Sequence, residues 1–221
     1  DVSAELVDVL DGSRLWGEQY SREATEIFAV EEAMAREIAQ KLRLRASGDQ
    51  KRRLRKQPTE NTEAYQHYLK GRFHWNKRID TELRKAIGHF EQAIDKDPNY
   101  ALAYAGLADS YGLLTAWSEC RPEEAFPTAH KMATKALELD DSLAEAHTSL
   151  GYINVVYEWN WTKAEAEYRR AIELNPSYAN AHHWYAYLLM MQCRFDEARH
   201  EIERAQELDP LSLIITANVG F

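Results

Sequence analysis

Eight histidines, two cysteines and 36 carboxylates are the residues from which any chemistry would have to come. His182 and His183 are neighbours, but adjacent residues of a helix point about 100° apart. They cannot close on one metal ion as an i, i+4 pair does. His147 and His182 stand at equivalent places 35 residues apart, which marks a recurring packing position, and both are read as core histidines. Cys120 and Cys193 offer neither metal-ligand spacing nor a disulfide framework. Carboxylates alternate with Lys and Arg at helical spacing, as in Glu165 and Arg169, the pattern of a solvated helix face. There is no glycine-rich phosphate loop, no nucleophile elbow and no HExxH. The sequence therefore predicts no catalytic, cofactor-binding or metal-binding residue, and the protein is expected to act by contact.

The frame that positions these residues is a repeat. In Asn175–Leu211, Pro176 and Pro210 lie 34 residues apart and enclose two amphipathic helical patterns joined by a turn at Cys193–Asp196. Ala186, Ala198 and Ala205 are small where two helices must approach closely. The same pattern runs backwards through Gly151, Ala164, Tyr168 and Ala171, then Ala108, Ala129, Ala133 and Ala136, then Gly71, Ala86, Phe90 and Ala93. A 34-residue period with this spacing resembles the tetratricopeptide repeat. The resemblance implies an α-solenoid of helix-turn-helix units. The expected repeats cover about 61–98, 99–141, 142–176 and 177–210, with the start of a fifth at 211–221. Departures are Asp141 in place of proline, His147 and His182 at a position usually aromatic, and a nine-residue insertion carrying Thr115–Pro127, expected as a loop whose Trp117 is either a contact residue or a lid on the repeat's own core.

Composition agrees with a folded, interacting protein. The 221 residues are 45% hydrophobic with six Pro and nine Gly, enough to bury a core and too few breakers for disorder. Net charge is −9, which argues against a nucleic-acid partner. Residues 41–56 hold eight Lys or Arg against Asp49 alone, a local +7 that leaves −16 on the rest. No aromatic is interleaved with those charges, so they are read as part of a solvated linker helix over 47–60, capped by Ser47 and Gln50. No apolar run is long enough to span a membrane, and no signal peptide opens the sequence. Two unpaired cysteines make the cytoplasm the default expectation, with the periplasm as the alternative if a membrane span lies upstream. An opening Asp and a fifth repeat that stops partway lead to the expectation of a piece of a longer protein.

Residues 1–46 do not repeat. VSAELVDVL, the turn signal Asp11-Gly12 and SRLWGEQYS predict a β-hairpin over 2–20. Ile27, Val30, Met34, Ile38 and Leu42 predict an amphipathic helix over 24–44. This stretch is similar to the C-terminal end of a TolB-amino-terminal-like (FlgO-like) α/β domain, and PTENTEAYQHYLKGRFHWNKR resembles the junction between such a domain and tetratricopeptide repeats. The resemblance implies the regulatory segment of a bacterial signalling protein whose effector is an adenylate or guanylate cyclase, a Ser/Thr kinase or a winged-helix regulator. The fold class expected is thus mainly α, a solenoid preceded by a hairpin and helix from an incomplete α/β domain.

By analogy with the repeat family, the first helix of each unit lines the concave surface. The groove residues implied are Tyr65, Tyr68, Arg72 and Trp75, then Asp109, then Tyr152 and Val156, then Asn180, His183, Tyr187, Met190 and Met191. Tyr and Met make large, adaptable contacts. The Lys and Asn set that clamps a C-terminal carboxylate in some family members is absent, and Arg72 alone could meet a carboxylate. Two readings stay open. One is a peptide- or protein-binding groove. The other is an arm working within its own polypeptide, by packing on the effector or by forming a homodimer through the hairpin edge.

Overall fold

The computed structural model describes residues 2–7, 14–20, 59–117 and 120–219. The turn at Asp11-Gly12, the helix expected over 24–44 and the basic block at 41–56 lie outside the described residues. The chain divides into two units, residues 1–62 and residues 63–221. In the first, β1 (Val2–Val7) pairs antiparallel with β2 (Arg14–Tyr20), Leu6 opposite Trp16, with a register shift after Leu6.

The second unit is helical. Its elements are α1 (Thr62–Trp75), α2 (Asp80–Lys96), α3 (Ala101–Trp117), α4 (Pro122–Leu139), α5 (Ala144–Val156), α6 (Trp161–Leu174), α7 (Ala179–Met191), α8 (Phe195–Leu208) and α9 (Leu213–Asn218). Each consecutive pair from α1 to α8 is one repeat; α9 begins the next. Second helices are amphipathic: α2 buries Leu83, Ala86, Phe90 and Ala93, a single stripe at helical spacing. From α3 onward the first helices are apolar nearly all round, because each packs on its own partner, on the preceding second helix and on a neighbouring first helix; α1, with no described helix before it, buries only Ala64, Gly71 and Trp75. In α7, Ala181 to Ala186 are all buried.

Ring-against-glycine contacts set how closely the helices approach. A Cβ on Gly71 or Gly106 would lie 2.6 Å from the Phe90 ring, and one on Gly151 would lie 2.5 Å from Tyr168. One bulky side chain from a second helix thus fills the space that glycine leaves on a first helix.

Turns within three of the repeats share one device. Arg78, Trp159 and Cys193, each between the first and second helix, hold φ near 53°, 52° and 61°, the left-handed conformation that ends helices. At α6, Asn160 caps the helix by accepting from the Lys163 backbone N–H at 3.1 Å.

The insertion expected as a loop over Thr115–Pro127 is mostly helix. α3 runs on to Trp117 and α4 starts at Pro122 with Pro127 inside it. Pro122 sits in the first turn, where its missing N–H removes no hydrogen bond. Ala125 and Phe126 extend the buried stripe of Ala129, Ala133 and Ala136, so burial favours continuing the helix.

Candidate functional site

Tyr65, Tyr68, Arg72 and Trp75 come from α1, Asp109 from α3, Tyr152 and Val156 from α5, and Asn180, His183, Tyr187, Met190 and Met191 from α7. Several of these meet across all four repeats. Arg72 Nη1 lies 3.5 Å from Asp109 Oδ2, and Ser149 donates to the other oxygen of that carboxylate. Arg72 and Arg78 place their guanidinium carbons 4.2 and 3.6 Å from the Trp75 ring centroid. Arg78 Nη2 donates to Asn180 Oδ1 at 3.4 Å, joining the first repeat to the fourth. Tyr152 packs on Trp184 with ring centroids 4.8 Å apart.

This contact corrects the expected groove. Trp75, Asp109 and His183 are 1%, 3% and 6% exposed and present no open surface. The physical reason is that the chain's own side chains close on them: Arg78 on Trp75, Arg72 and Ser149 on Asp109, and Asn218 on His183. Arg72 is committed to Asp109 and is not a spare partner for a carboxylate. Tyr65, Tyr68, Val156, Asn180 and Met191 are half-buried. Tyr68 lies against Phe90 and Tyr100. Only Tyr187 (42%) and Met190 (38%) of the expected set are openly exposed.

Burial shapes the electrostatics of the cluster. It pushes the Asp109 carboxyl up to about 6 against the pull of Arg72 and Ser149. Burial, then the charge of Arg78, holds His183 down at about 4. Burial lowers Arg78 to about 10 and raises Glu145. Tyr68 and Tyr152 rise to about 12 for the same reason.

Tyr187 and Met190 border a cavity of about 550 Å³ between α7, α8 and α9, whose walls include His183, Phe195, Arg199 and Asn218. Asn218 Nδ2 donates to His183 Nε2 at 2.7 Å. Phe195 is exposed, and Arg199 makes no ion pair among the described residues. The sequence reading missed Phe195, Arg199, Ser149, Trp184 and Arg78. A cation in a turn reads as solvated, and nothing local marks one that points inward.

The histidines read as core residues have hydrogen-bonding roles. His147 Nδ1 donates to Glu167 Oε2 at 2.7 Å and His182 Nδ1 to Glu201 Oε2 at 2.6 Å, bridging first and second helices. Their Nε2 atoms face the Asp141 and Pro176 carbonyl oxygens. No group of three or more His, Cys, Asp or Glu among the described residues is placed to hold a metal.

Residues 159–214 match the tetratricopeptide repeat family. Over 89% of its length the chain resembles the solved structure of TTC0263, a thermophilic tetratricopeptide repeat protein of Thermus thermophilus, covering 95% of that chain at 18% identity and a TM-score of 0.57. The helical unit has the tetratricopeptide-repeat fold. Among curated proteins, the chain is 28% identical to the transcriptional regulator HilA of Salmonella paratyphi A over 143 residues, 65% of this chain and 26% of that protein. It is also 28% identical to putative adenylate cyclase 3 of Rhizobium meliloti over 172 residues, 76% of this chain and 28% of that protein. The chain thus spans about a quarter of the length of these relatives.

Proposed function

We propose that the helical unit is a non-catalytic scaffold that holds a peptide or protein segment in the cavity between α7, α8 and α9. The observation that carries this reading is the cavity bounded by Tyr187, Met190 and Phe195, three exposed large side chains on two adjacent helices. An aromatic and methionine surface of this kind is adapted to repack around an apolar segment. Arg199 at its wall favours a segment that also carries a carboxylate. The expected groove residues Tyr65, Tyr68, Val156, Asn180 and Met191, half-buried on first helices, would extend that contact surface.

The two partial relatives support a wider context, a regulatory segment of a larger bacterial signalling protein, since one is named as a transcriptional regulator and the other as a putative adenylate cyclase. In that context β1 and β2 are the end of an α/β domain. No described helix is long and apolar enough to cross a membrane.

The test is selection from a phage-displayed peptide library. The wild-type chain is expected to enrich a related set of apolar, acid-bearing peptides, and Tyr187→Ala/Met190→Ala/Phe195→Ala to lose them while keeping its Tm. Peptides retained by the triple variant would place binding elsewhere.

A second reading rests on β1, which among the described residues pairs with β2 on one side only. A free strand edge favours self-association. A dimer by light scattering, lost on Ala4→Pro, would support the arm reading; a monomer at all concentrations would remove the homodimer.

A further inference from the structure

Three repeats place a left-handed residue in the turn between their helices, but they use it differently. Trp159 is 68% exposed and Cys193 is exposed, so in repeats three and four that side chain meets solvent. Arg78 is 7% exposed although Lys77 and Ile79 on either side of it are open. A guanidinium is the most costly of these three groups to bury, and this one is poorly rewarded. It makes no ion pair among the described residues, its single hydrogen bond to Asn180 is 3.4 Å long, and its Nε, buried, has no acceptor.

What surrounds Arg78 is well suited to a guanidinium. The Trp75 ring lies 3.6 Å from its central carbon and the Trp184 ring 5.9 Å, two indole walls contributed by the first and fourth repeats. Asn180 supplies a carbonyl oxygen, and the charge of Asp109 favours the charged form of Arg78 against burial, the larger effect, and against the charge of Arg72. Burial and the charge of Arg72 act on any guanidinium placed there, whereas the tether acts on Arg78 alone. Arg78 reaches its place from a left-handed turn residue that fixes its approach, whereas an arginine on a separate segment can choose its own.

We propose that the concave face carries a guanidinium cradle, walled by Trp75 and Trp184, that Arg78 occupies in cis and that an arginine of a partner segment enters when Arg78 swings out. The partner class is a peptide presenting an arginine side chain. Only the turn at residues 76–79 has to move, and its flanking side chains already face solvent. Self-occupation also sets a threshold, because the apparent affinity for the partner is divided by the fraction of time the cradle is empty.

The experiment is an NMR titration of the full chain, reading the indole N–H signals of Trp75 and Trp184, assigned from Trp75→Phe and Trp184→Phe. The probes are Ac-Gly-Arg-Gly-NH2 and its citrulline counterpart, which keeps the shape and loses the charge. Arg78→Gly empties the cradle, and glycine accepts φ near 53° without strain. We expect the arginine peptide to bind Arg78→Gly at least ~10-fold more tightly than wild type, corresponding to a cradle self-occupied about nine-tenths of the time. The citrulline peptide should leave both indoles in place. If Arg78→Gly loses the native melting transition, Arg78→Gln gives the same comparison with the stem retained. Equal shifts from both peptides, no shift from either, or equal affinity in variant and wild type would each overturn the proposal and leave Arg78 as a strut. Because the readout is at Trp75 and Trp184, failure of peptide capture at Tyr187 and Met190 is a separate result.

Discussion

Asp109 and His183 lie in one buried cluster and pull stability in opposite directions with pH. Burial raises Asp109 from 3.8 to about 6, so its neutral form is the favoured one in the fold. That contribution is present in full below the unfolded value and is lost as pH rises through about 6. His183 is depressed from 6.5 to about 4, so its contribution is present above 6.5 and is lost as pH falls through about 4. Each is worth about 3 kcal/mol by the usual conversion, and between pH 4 and 6 they largely offset. Asp109→Asn removes one side of that balance. Urea midpoints of this variant between pH 4 and 6.5 should rise with pH more steeply than those of wild type, and His183→Gln should fall with pH. Parallel profiles for wild type and Asp109→Asn would show that the carboxyl does not titrate in this range. The sequence marked Asp109 and His183 as facing the concave side, because that position recurs in each repeat. It could not mark them as buried, since the groups that close on them, Arg72 and Ser149 on Asp109 and Asn218 on His183, come from other helices.

At the scale of the helix pair, glycine has opposite roles at different positions. Gly88 in α2 has open space where a Cβ would go, whereas a Cβ on Gly151 in α5 would meet the Tyr168 ring at 2.5 Å. Gly88→Ala should therefore raise stability by up to about 1 kcal/mol through helix propensity alone. Gly151→Ala gains the same propensity, but overpacking costs about 1–3 kcal/mol, so it should lower the denaturation midpoint. Stabilisation by both would mean that Tyr168 moves aside freely. The histidine pairs give a second comparison. His147–Glu167 and His182–Glu201 bridge their helices, and the equivalent positions of the first repeat hold His67 and His89, whose Nδ1 atoms face each other at 3.4 Å. Burial, followed for His67 by the charges of Lys70 and Lys96 and for His89 by those of His74 and His67, lowers both. Replacing His89 with the carboxylate used by the third and fourth repeats, His89→Glu, should stabilise the unit by about 1 kcal/mol, read as a higher urea midpoint at pH 7. The helices themselves were legible from the alternation of small and bulky residues at a 34-residue period. The extended α3 and α4 were not, because prolines at 122 and 127 read locally as a loop while the stripe from Ala125 to Ala136 decides the matter through burial.

A linear solenoid couples only neighbours, so damage in one repeat should reach a distant one only through those between. Here the first and fourth repeats also meet through Arg78, which donates to Asn180 and lies 3.6 Å from the Trp75 ring and 5.9 Å from the Trp184 ring. No periodic signal in the sequence encodes that closure. It follows from the curvature accumulated over three repeat-to-repeat steps, each set by side chains such as Phe90 between Gly71 and Gly106. Two substitutions on α7 separate the routes. Trp184→Leu weakens the closing contact, whereas Tyr185→Leu, facing Tyr168 and Glu165, damages the same helix on its other side. Both should destabilise α7. Amide exchange in α1 and α2 should quicken about fivefold in the Trp184 variant, corresponding to about 1 kcal/mol of local protection, and remain near the wild-type rate in the Tyr185 variant. Equal rates in α1 and α2 for the two variants would mean that coupling runs only from neighbour to neighbour, and that the contact across the concave face contributes no measurable stability to the first repeat.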